Sequence, residues 1–264
     1  MKQNKFKTKS SMICDSVRAD IINEVLLPGT RLVVSEVAKH YKVSEIPVRE
    51  AFQVLVQTGF ITAEPNSSFT VSLLSKKDIR EIFELRIVLE TLGVELAVEK
   101  MAPEDLVLLQ SILDNSQHFL QNDDFHGYWD SNRQWHLALY KIADNQRMLD
   151  MIQMLYQYSA RYPAYFTDHE CLIKSFSEHQ MILNACATKN VELAKVLMKT
   201  HTQDSYAHVL EQFNAKEAKK ELLEIRYNKG PVDKSKNSAE THSGSSRTVN
   251  WEIAKDGIYH PLKI

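Results

Sequence analysis

Cysteine is scarce in this sequence, and the cysteines that are present form no recognisable pattern. Cys14, Cys171 and Cys186 are odd in number and have no paired spacing. A disulfide framework and a CxxC metal site are therefore not expected, and the composition fits a reducing cytosol.

Long apolar runs are missing as well. No stretch approaches the roughly 20 apolar residues of a membrane-spanning helix. The lysines near the amino terminus are not followed by an apolar segment, so a signal peptide is not expected either. The apolar and charged fractions are those of an ordinary soluble protein. We therefore expect a cytoplasmic protein with no membrane partner.

Net charge is also small. The formal charge is -2 at pH 7, which gives no general affinity for polyanions. Residues 1–75 hold nine Lys or Arg side chains against seven acidic ones. Nucleic-acid binding by this part of the chain must therefore come from local charge, and so small a surplus favours a dimer over a single copy.

What the sequence does contain is a pair of short helical patterns between Val34 and Ala63. Ser44 precedes the second pattern and is expected to cap it through its hydroxyl. Thr58-Gly59 is expected to end it, with Gly59 in the left-handed conformation. Two helices joined by a tight turn are typical of a helix-turn-helix, whose second helix enters the DNA major groove. The apolar face of the second helix comprises Val48, Ala51, Phe52 and Leu55.

Two β-prone runs follow, at residues 60–63 and 69–73. They flank the turn-forming segment Glu64-Pro65-Asn66-Ser67-Ser68. We interpret them as a β-hairpin, the wing of a winged helix-turn-helix, because Asn tolerates the left-handed conformation that such a turn requires.

Taken together, these residues resemble the winged helix-turn-helix of GntR-family bacterial transcription regulators. The similarity is carried by Pro28-Gly29, Arg31-Leu32, Val37-Ala38, Val43-Ser44, Pro47-Val48-Arg49-Glu50-Ala51 and Gly59-Phe60-Ile61. The resemblance implies that double-stranded DNA is a partner. The DNA-binding residues that it implies are Arg31, Ser35, Ser44, Glu45, Pro47, Arg49, Asn66, Ser67 and Ser68.

The sequence departs from the family pattern at two of these places. Glu45 stands where the family usually has Arg, and an acid repels phosphate and accepts only from cytosine N4. Asn66 and Ser67 stand where the wing turn usually has Gly, so the sequence departs from the family pattern at the wing's tip and its phosphate contact.

The second part of the chain shows helical periodicity and no convincing strand pattern. The predicted helices run from about 77 to 99, from Pro103 onward, and over about 125–142, 146–162, 173–188 and 191–213. This pattern predicts an all-α bundle of six to seven helices. We therefore expect a mostly α protein with four parts: a flexible basic arm (1–10), a winged helix-turn-helix domain (11–73), a helical domain (74–213), and a helix extension with a disordered tail (214–264).

Three histidines lie on three different predicted helices of this bundle: His136, His179 and His201. Inward-facing groups from neighbouring helices of a bundle can converge on one ion. Three imidazoles suit Zn²⁺, Ni²⁺, Cu²⁺ or Fe²⁺, and the sequence does not choose among these ions. Arg86 and Arg161 are candidates to clamp the carboxylate of an effector, because a guanidinium matches a carboxylate bidentately.

The helical part also resembles the FCD ligand-binding domain that follows many GntR-type DNA-binding domains. The matching pieces are residues 84–90, Trp135-His136, Ala143-Asp144-Asn145, Glu178-His179, residues 182–185, and Asn190 to Ala194 with His201 beyond. The family commonly builds a metal site from an Asp or Asn and three His. That implies Asn132 as the fourth ligand here, one helical turn before His136, with a divalent ion such as Zn²⁺ or Ni²⁺ as cofactor.

Three functions fit these observations. The leading interpretation is a homodimeric, metabolite-responsive transcription regulator that binds a short palindrome and a small anionic effector, and that is not an enzyme. The first alternative is a metal-dependent enzyme using the three histidines, although no acid stands at a motif spacing to act as base. The second alternative is a protein-binding adaptor that no longer binds DNA, which Glu45 favours.

Overall fold

The computed structural model describes residues 8–23, 25–64, 68–73, 75–159, 169–228, 251–253 and 259–261. The chain divides into two compact units, residues 1–74 with 218–264 and residues 75–217. Most of it is helical, and a small three-stranded antiparallel sheet accompanies the first helices. The predicted fold class is confirmed.

The first unit opens with a three-helix arrangement and a β-hairpin. Its elements are α1 (Lys9–Ile22), β1 (Arg31–Leu32), α2 (Val34–His40), α3 (Glu45–Gln57), β2 (Ile61–Glu64) and β3 (Ser68–Val71). The sheet order is β1-β3-β2, with Leu32 opposite Phe69 and Ile61 opposite Val71. Strand β1 was not predicted, since two residues are too few to show an alternating pattern.

Helix α3 packs against α1 and α2 through the apolar face that its periodicity predicted. Val48, Ala51, Phe52 and Leu55 are all buried. Ser44 occupies the N-cap with extended backbone, but its side chain makes no capping hydrogen bond. The prediction of a hydroxyl cap is therefore wrong in this detail. Gly59 follows the helix with a φ of 73°, the left-handed conformation that glycine adopts most readily.

Six helices form the described part of the second unit, as the periodicity predicted. They are α4 (Lys76–Lys100), α5 (Pro103–Gln121), α6 (Phe125–Ile142), α7 (Gln146–Ser159), α8 (His169–Ala187) and α9 (Val191–Asn228), the last of which continues past residue 217. Two predicted caps are present. Asn145 Oδ1 accepts from the amide of Met148, and Asn190 Oδ1 accepts from the amide of Leu193.

Helix α6 lies at the centre of this bundle. It packs against α5, α4 and α7, and Trp135, Leu139 and Tyr140 on it are completely buried. Because α6 is covered on several sides, polar groups on its inward face must find partners inside the protein.

The carboxy-terminal residues contain more structure than expected. Strands β4 (Trp251–Ile253) and β5 (Tyr259–Pro261) pair antiparallel, with Ile253 opposite Tyr259. Sequence analysis predicted a tail without fixed structure because residues 230–248 are polar. The two short strands lie outside this polar segment, and they carry the aromatic and β-branched residues that favour cross-strand pairing.

Candidate functional site

The three histidines singled out in the sequence meet inside the helical unit. His136 on α6, His179 on α8 and His201 on α9 are each at most 4% exposed. The Nε2 atom of His179 lies 3.0 Å from Nε2 of His136 and 3.2 Å from Nε2 of His201. Three imidazole nitrogens from three helices therefore face one point.

Each histidine reaches this point because it occupies a core position of its helix. His179 continues the buried row of α8 that includes Leu172, Ile182 and Cys186. His201 follows Ala194 and Met198 along the buried side of α9. The spacing that places apolar residues in the core thus places the imidazoles there too.

The outward-facing ring nitrogens of two of these histidines are hydrogen-bonded. His201 Nδ1 lies 2.7 Å from Oε2 of Glu178, and His136 Nδ1 lies 3.0 Å from the hydroxyl of Tyr140. Tyr140 in turn donates to Oε2 of Glu90 over 2.7 Å. Such partners on the far side of a metal-binding imidazole fix its tautomer and its ring orientation.

The electrostatics at His136 and His179 favour neutral imidazoles. Burial lowers the pKa of His136 well below its usual value, and the nearby His179, His201 and Arg86 lower it further. Burial, followed by the proximity of His201, lowers the pKa of His179 in the same way. Neutral imidazoles have a free lone pair, which is the form that binds metal.

The separations between the imidazole nitrogens also suit a metal ion. Two nitrogens each about 2.1 Å from an ion lie roughly 3.0 Å apart at a right angle and roughly 3.4 Å apart at the tetrahedral angle. The observed separations of 3.0 and 3.2 Å fall within this range. Asn132, the predicted fourth ligand, is buried one turn before His136 on α6 and offers a neutral amide oxygen.

Arg86, the predicted effector clamp, is engaged inside the protein. Its Nε donates to Oε1 of Glu90 over 2.7 Å, and its Nη1 donates to the hydroxyl of Ser159 over 3.4 Å. The guanidinium lies over the rings of Tyr156 and Phe83, 4.4 and 4.7 Å from their centroids. Burial disfavours its charge most, but the contributions of Glu90, Tyr156 and Tyr140 together outweigh burial and raise the pKa of Arg86. A role of Arg86 toward an effector stays a prediction, and Arg161 lies outside the described residues.

The DNA-binding residues predicted in the first unit lie on the surface wherever the structure describes them. Arg31, Ser35, Ser44, Glu45 and Arg49 are exposed, while Pro47 and Ser68 are partly exposed, and Asn66 and Ser67 lie outside the described residues. On α3, Arg49 Nη2 donates to Oε2 of Glu45 over 2.9 Å. Arg49, whose guanidinium is the one most suited to DNA, is thus paired with Glu45, the acid that stands where the family pattern usually has Arg.

Each of the two units matches a known protein family. Residues 9–71 match the family described as bacterial regulatory proteins, gntR family, and residues 81–204 match the FCD domain. The HTH-type transcriptional regulator McbR of Escherichia coli strain K12 is 30% identical over 198 residues, which cover 72% of this chain and 87% of McbR. The chain belongs to the GntR family.

Further comparisons agree with this assignment. A solved structure of E. coli McbR/YncC matches this GntR-family chain with a TM-score of 0.67 and 26% identity, covering 79% of the chain and 100% of that structure. The uncharacterized HTH-type transcriptional regulator YdhC of Bacillus subtilis strain 168 is 29% identical over 204 residues, 73% of this chain and 88% of YdhC. The similar proteins are transcription regulators and not enzymes, so this GntR-family chain is a transcription regulator with an FCD domain. Within the part that the structure describes, its helices are too short or too polar to cross a membrane.

The hydrogen-bond partners of the histidines were not predicted from the sequence. Glu90, Tyr140 and Glu178 were not predicted to take part in the site. Helical spacing held a usable signal, because Tyr140 lies four residues after His136 and Glu90 lies four residues after Arg86. Glu178 gave no such signal, since its contact with His201 joins two helices.

Proposed function

We propose that this GntR-family regulator is a cytoplasmic homodimer that binds a short palindromic operator and responds to a small, carboxylate-bearing metabolite through a divalent metal in its helical unit. The observation that carries the metal and effector part is the convergence of three buried imidazole nitrogens on one point. Hydrogen bonds on the far sides of His136 and His201 support a site built to bind an ion rather than a set of histidines packed by chance.

The metal would be held by His136, His179, His201 and Asn132. When bound, the ion supplies a positive charge, and an anionic oxygen ligand can take its open coordination positions. The Asn132 amide is neutral, so the site is one charge more positive than one with Asp in that place. Zn²⁺ and Ni²⁺ are the leading candidates because both accept imidazole ligands.

The anionic effector is proposed to bind next to this ion. Arg86 uses Nε for Glu90 and Nη1 for Ser159, which leaves N–H groups on the guanidinium for a further acceptor. Since Glu90 already balances the charge of Arg86, attraction of an anion would come mainly from the metal. Arg161 remains a second candidate for the carboxylate.

Dimerisation is proposed to involve helices α4 and α7, which pack against each other. Leu85, Val88 and Leu92 follow one another at helical spacing on α4, and Met151 and Met154 do so on α7; these side chains are between 39% and 65% exposed. Adjacent exposed apolar residues on two helices favour a protein partner. A second copy is the partner that fits, because a helix-turn-helix regulator reads the two halves of a palindrome as a dimer.

Operator recognition is proposed to use the face of α3 opposite its core residues. Glu45, Ile46, Arg49, Glu50 and Gln53 are exposed there. Ile46 is 68% exposed in the first turn, where an apolar side chain can contact the C5-methyl group of thymine. Arg49 can bind a guanine edge or a phosphate, and its pairing with Glu45 limits how freely it does so.

A metabolite can change the affinity for DNA only if it binds two arrangements of the dimer with different affinity. Helix α4 begins at Lys76, shortly after β3 ends at Val71. It also carries Arg86 and Glu90, which are connected to His136 through Tyr140. We therefore propose α4 as the element through which metal and effector act on the DNA-binding unit.

The test is to map the genomic fragments that the purified, tag-free protein binds, with and without added Zn²⁺ or Ni²⁺. The proposal predicts a palindromic consensus and a change in occupancy when metal and effector are present. Candidate effectors follow from the genes beside the bound fragments. If the protein binds selected fragments but neither metal nor metabolite changes this binding, the protein is a DNA-binding regulator. That result would contradict the proposed control through the helical unit.

The adaptor alternative has one observation in its favour. Arg49 is the sole basic residue of α3, and it is paired with Glu45. If no genomic fragment is enriched at low ionic strength, where phosphate contacts are strongest, the adaptor alternative replaces the DNA-binding proposal.

A further inference from the structure

His136 and His201 flank His179 in the cluster, and each has a hydrogen-bond partner that determines which of its ring nitrogens carries the proton. Glu178 Oε2 is 2.7 Å from His201 Nδ1, and a carboxylate only accepts hydrogen bonds. His201 Nδ1 must therefore carry the proton. In the neutral imidazole the lone pair then lies on Nε2, and this atom faces His179.

The same conclusion follows for His136, although the carboxylate acts through a tyrosine. A tyrosine hydroxyl has an ordinary pKa of about 10 and therefore keeps its single proton at neutral pH. That proton is donated to Oε2 of Glu90 over 2.7 Å. The oxygen of Tyr140 can then only accept from His136 Nδ1, 3.0 Å away, which leaves the lone pair on Nε2 of His136.

Glu90 is held as a charged acceptor by several donors. Arg86 donates to Oε1, while Tyr140 and Tyr156 donate to Oε2. Arg86 does not lose its proton in proteins, so the carboxylate has a permanent counter-charge. The direction of the chain from Glu90 through Tyr140 to His136 is therefore fixed.

A glycine on α4 makes this arrangement possible. Gly93 lies three residues after Glu90, and a Cβ atom there would come within 2.7 Å of Cδ1 of Tyr140. Glycine inside a helix is unfavourable by roughly 1 kcal/mol relative to alanine. Its presence lets the ring of Tyr140 approach α4 closely enough for the hydroxyl to reach Glu90.

We propose that Glu178 and the Tyr140–Glu90 pair are positioning groups that hold His201 and His136 in the Nδ1–H tautomer, so that both Nε2 lone pairs are presented to a metal ion before it binds. This inference rests on the proposed metal function. It goes further by assigning roles to three residues outside the ligand set. Loss of either positioning group lowers metal affinity by about 10- to 100-fold, the usual effect of removing such a partner.

Matched variants separate positioning from general damage. Tyr140→Phe removes the hydroxyl that accepts from His136, whereas Tyr156→Phe removes the other hydroxyl that donates to Glu90. Glu178→Ala removes the acceptor for His201, whereas Asp204→Ala removes a carboxylate that, like Glu178, pairs with Lys174. Glu178→Gln keeps an oxygen acceptor and restores most of the affinity.

The first measurement is the Ni²⁺ dissociation constant by competition with a chelator, on tag-free protein with folding checked by circular dichroism. Tyr140→Phe and Glu178→Ala are expected to bind about 10- to 100-fold more weakly than wild type, and Tyr156→Phe and Asp204→Ala within about threefold of it. Equal losses in a variant and its control would overturn the inference. A wild type that takes up no ion would overturn the proposed metal function instead.

The second measurement does not need the metal. Two-bond ¹H–¹⁵N correlation spectra of the metal-free protein distinguish the two neutral tautomers of each imidazole. We expect the Nδ1–H form for His136 and His201 in wild type, and its loss at His136 in Tyr140→Phe and at His201 in Glu178→Ala. The Nε2–H form at both histidines in wild type would contradict the inference even if the protein binds metal.

Discussion

The buried ion pair between Arg86 and Glu90 leads to a quantitative prediction about stability. The side chain of Arg86 is 9% exposed and that of Glu90 is 0% exposed, and their charged groups are 2.7 Å apart. Replacing Arg86 with Met keeps an apolar side chain against Phe83 and Tyr156 but leaves the Glu90 carboxylate without its counter-charge. Removal of one partner of a buried pair destabilises a protein by about 3–5 kcal/mol.

For a unit the size of residues 75–217, a loss of about 3–5 kcal/mol corresponds to a fall in melting temperature of roughly 6–20 °C. Adding Glu90→Gln to Arg86→Met is expected to recover a large part of this loss. The double variant has no charge at either position, and the amide oxygen that Glu90→Gln introduces still accepts from Tyr140 and Tyr156. The two changes should therefore be strongly non-additive.

Thermal and urea unfolding measured by tryptophan fluorescence are suitable assays, because Trp129 and Trp135 both lie in the helical unit. Arg133→Met is the control, since Arg133 is 54% exposed and pairs with Asp130 over 3.8 Å. It is expected to change stability by less than about 1 kcal/mol. If Arg86→Met is no more destabilising than Arg133→Met, or if Glu90→Gln does not compensate it, the carboxylate of Glu90 is not held as a buried charge.

Four further predictions follow from other parts of the molecule. Arg49→Ala is expected to weaken operator binding in a gel-shift titration at physiological salt by about 1–3 kcal/mol; unchanged affinity would exclude Arg49 from the DNA contact. Val88→Asp is expected to convert a dimer into a monomer in sedimentation velocity, because it places a charge in the exposed apolar stripe of α4. If the variant remains a dimer, the interface lies elsewhere. Burial lowers the pKa of His40 from 6.5 to about 4. The contribution of neutral His40 to the stability of the folded state is therefore complete above pH 6.5 and is lost as the pH falls toward 4. A His40→Asn variant should show a smaller loss of stability over that pH range in urea unfolding. Gly93→Ala is expected to displace Tyr140 and to weaken Ni²⁺ binding; a variant with wild-type Ni²⁺ affinity would show that the Tyr140 position is not constrained by α4.

The sequence was most informative where a periodic apolar pattern coincided with helix boundaries. Pro103 and Asn190 marked the starts of α5 and α9, because a proline in the first turn and an Asn cap act locally. The convergence of His136, His179 and His201 could also be anticipated, since each lies on the apolar face of a separate helix of one bundle.

The rest of the site depends on contacts between distant residues, which no local pattern encodes. Arg86 was predicted as a candidate to clamp the carboxylate of an effector. Its buried partner Glu90, four residues along the same helix, was not predicted, because most pairs at this spacing lie on the surface. The contact of Glu178 with His201 depends on how α8 packs against α9. Strand β1 is recognisable only through its pairing with β3.

The proposed regulation depends most on the binding of a metal ion by the three histidines. Titration of Ni²⁺ or Zn²⁺ into tag-free, chelator-treated protein in a calorimeter measures this directly. We predict uptake of about one ion per chain in wild type and its loss in a His179→Ala, His201→Ala double variant. A wild type that takes up no ion, or a double variant that binds it with unchanged stoichiometry and affinity, would contradict the proposed metal binding.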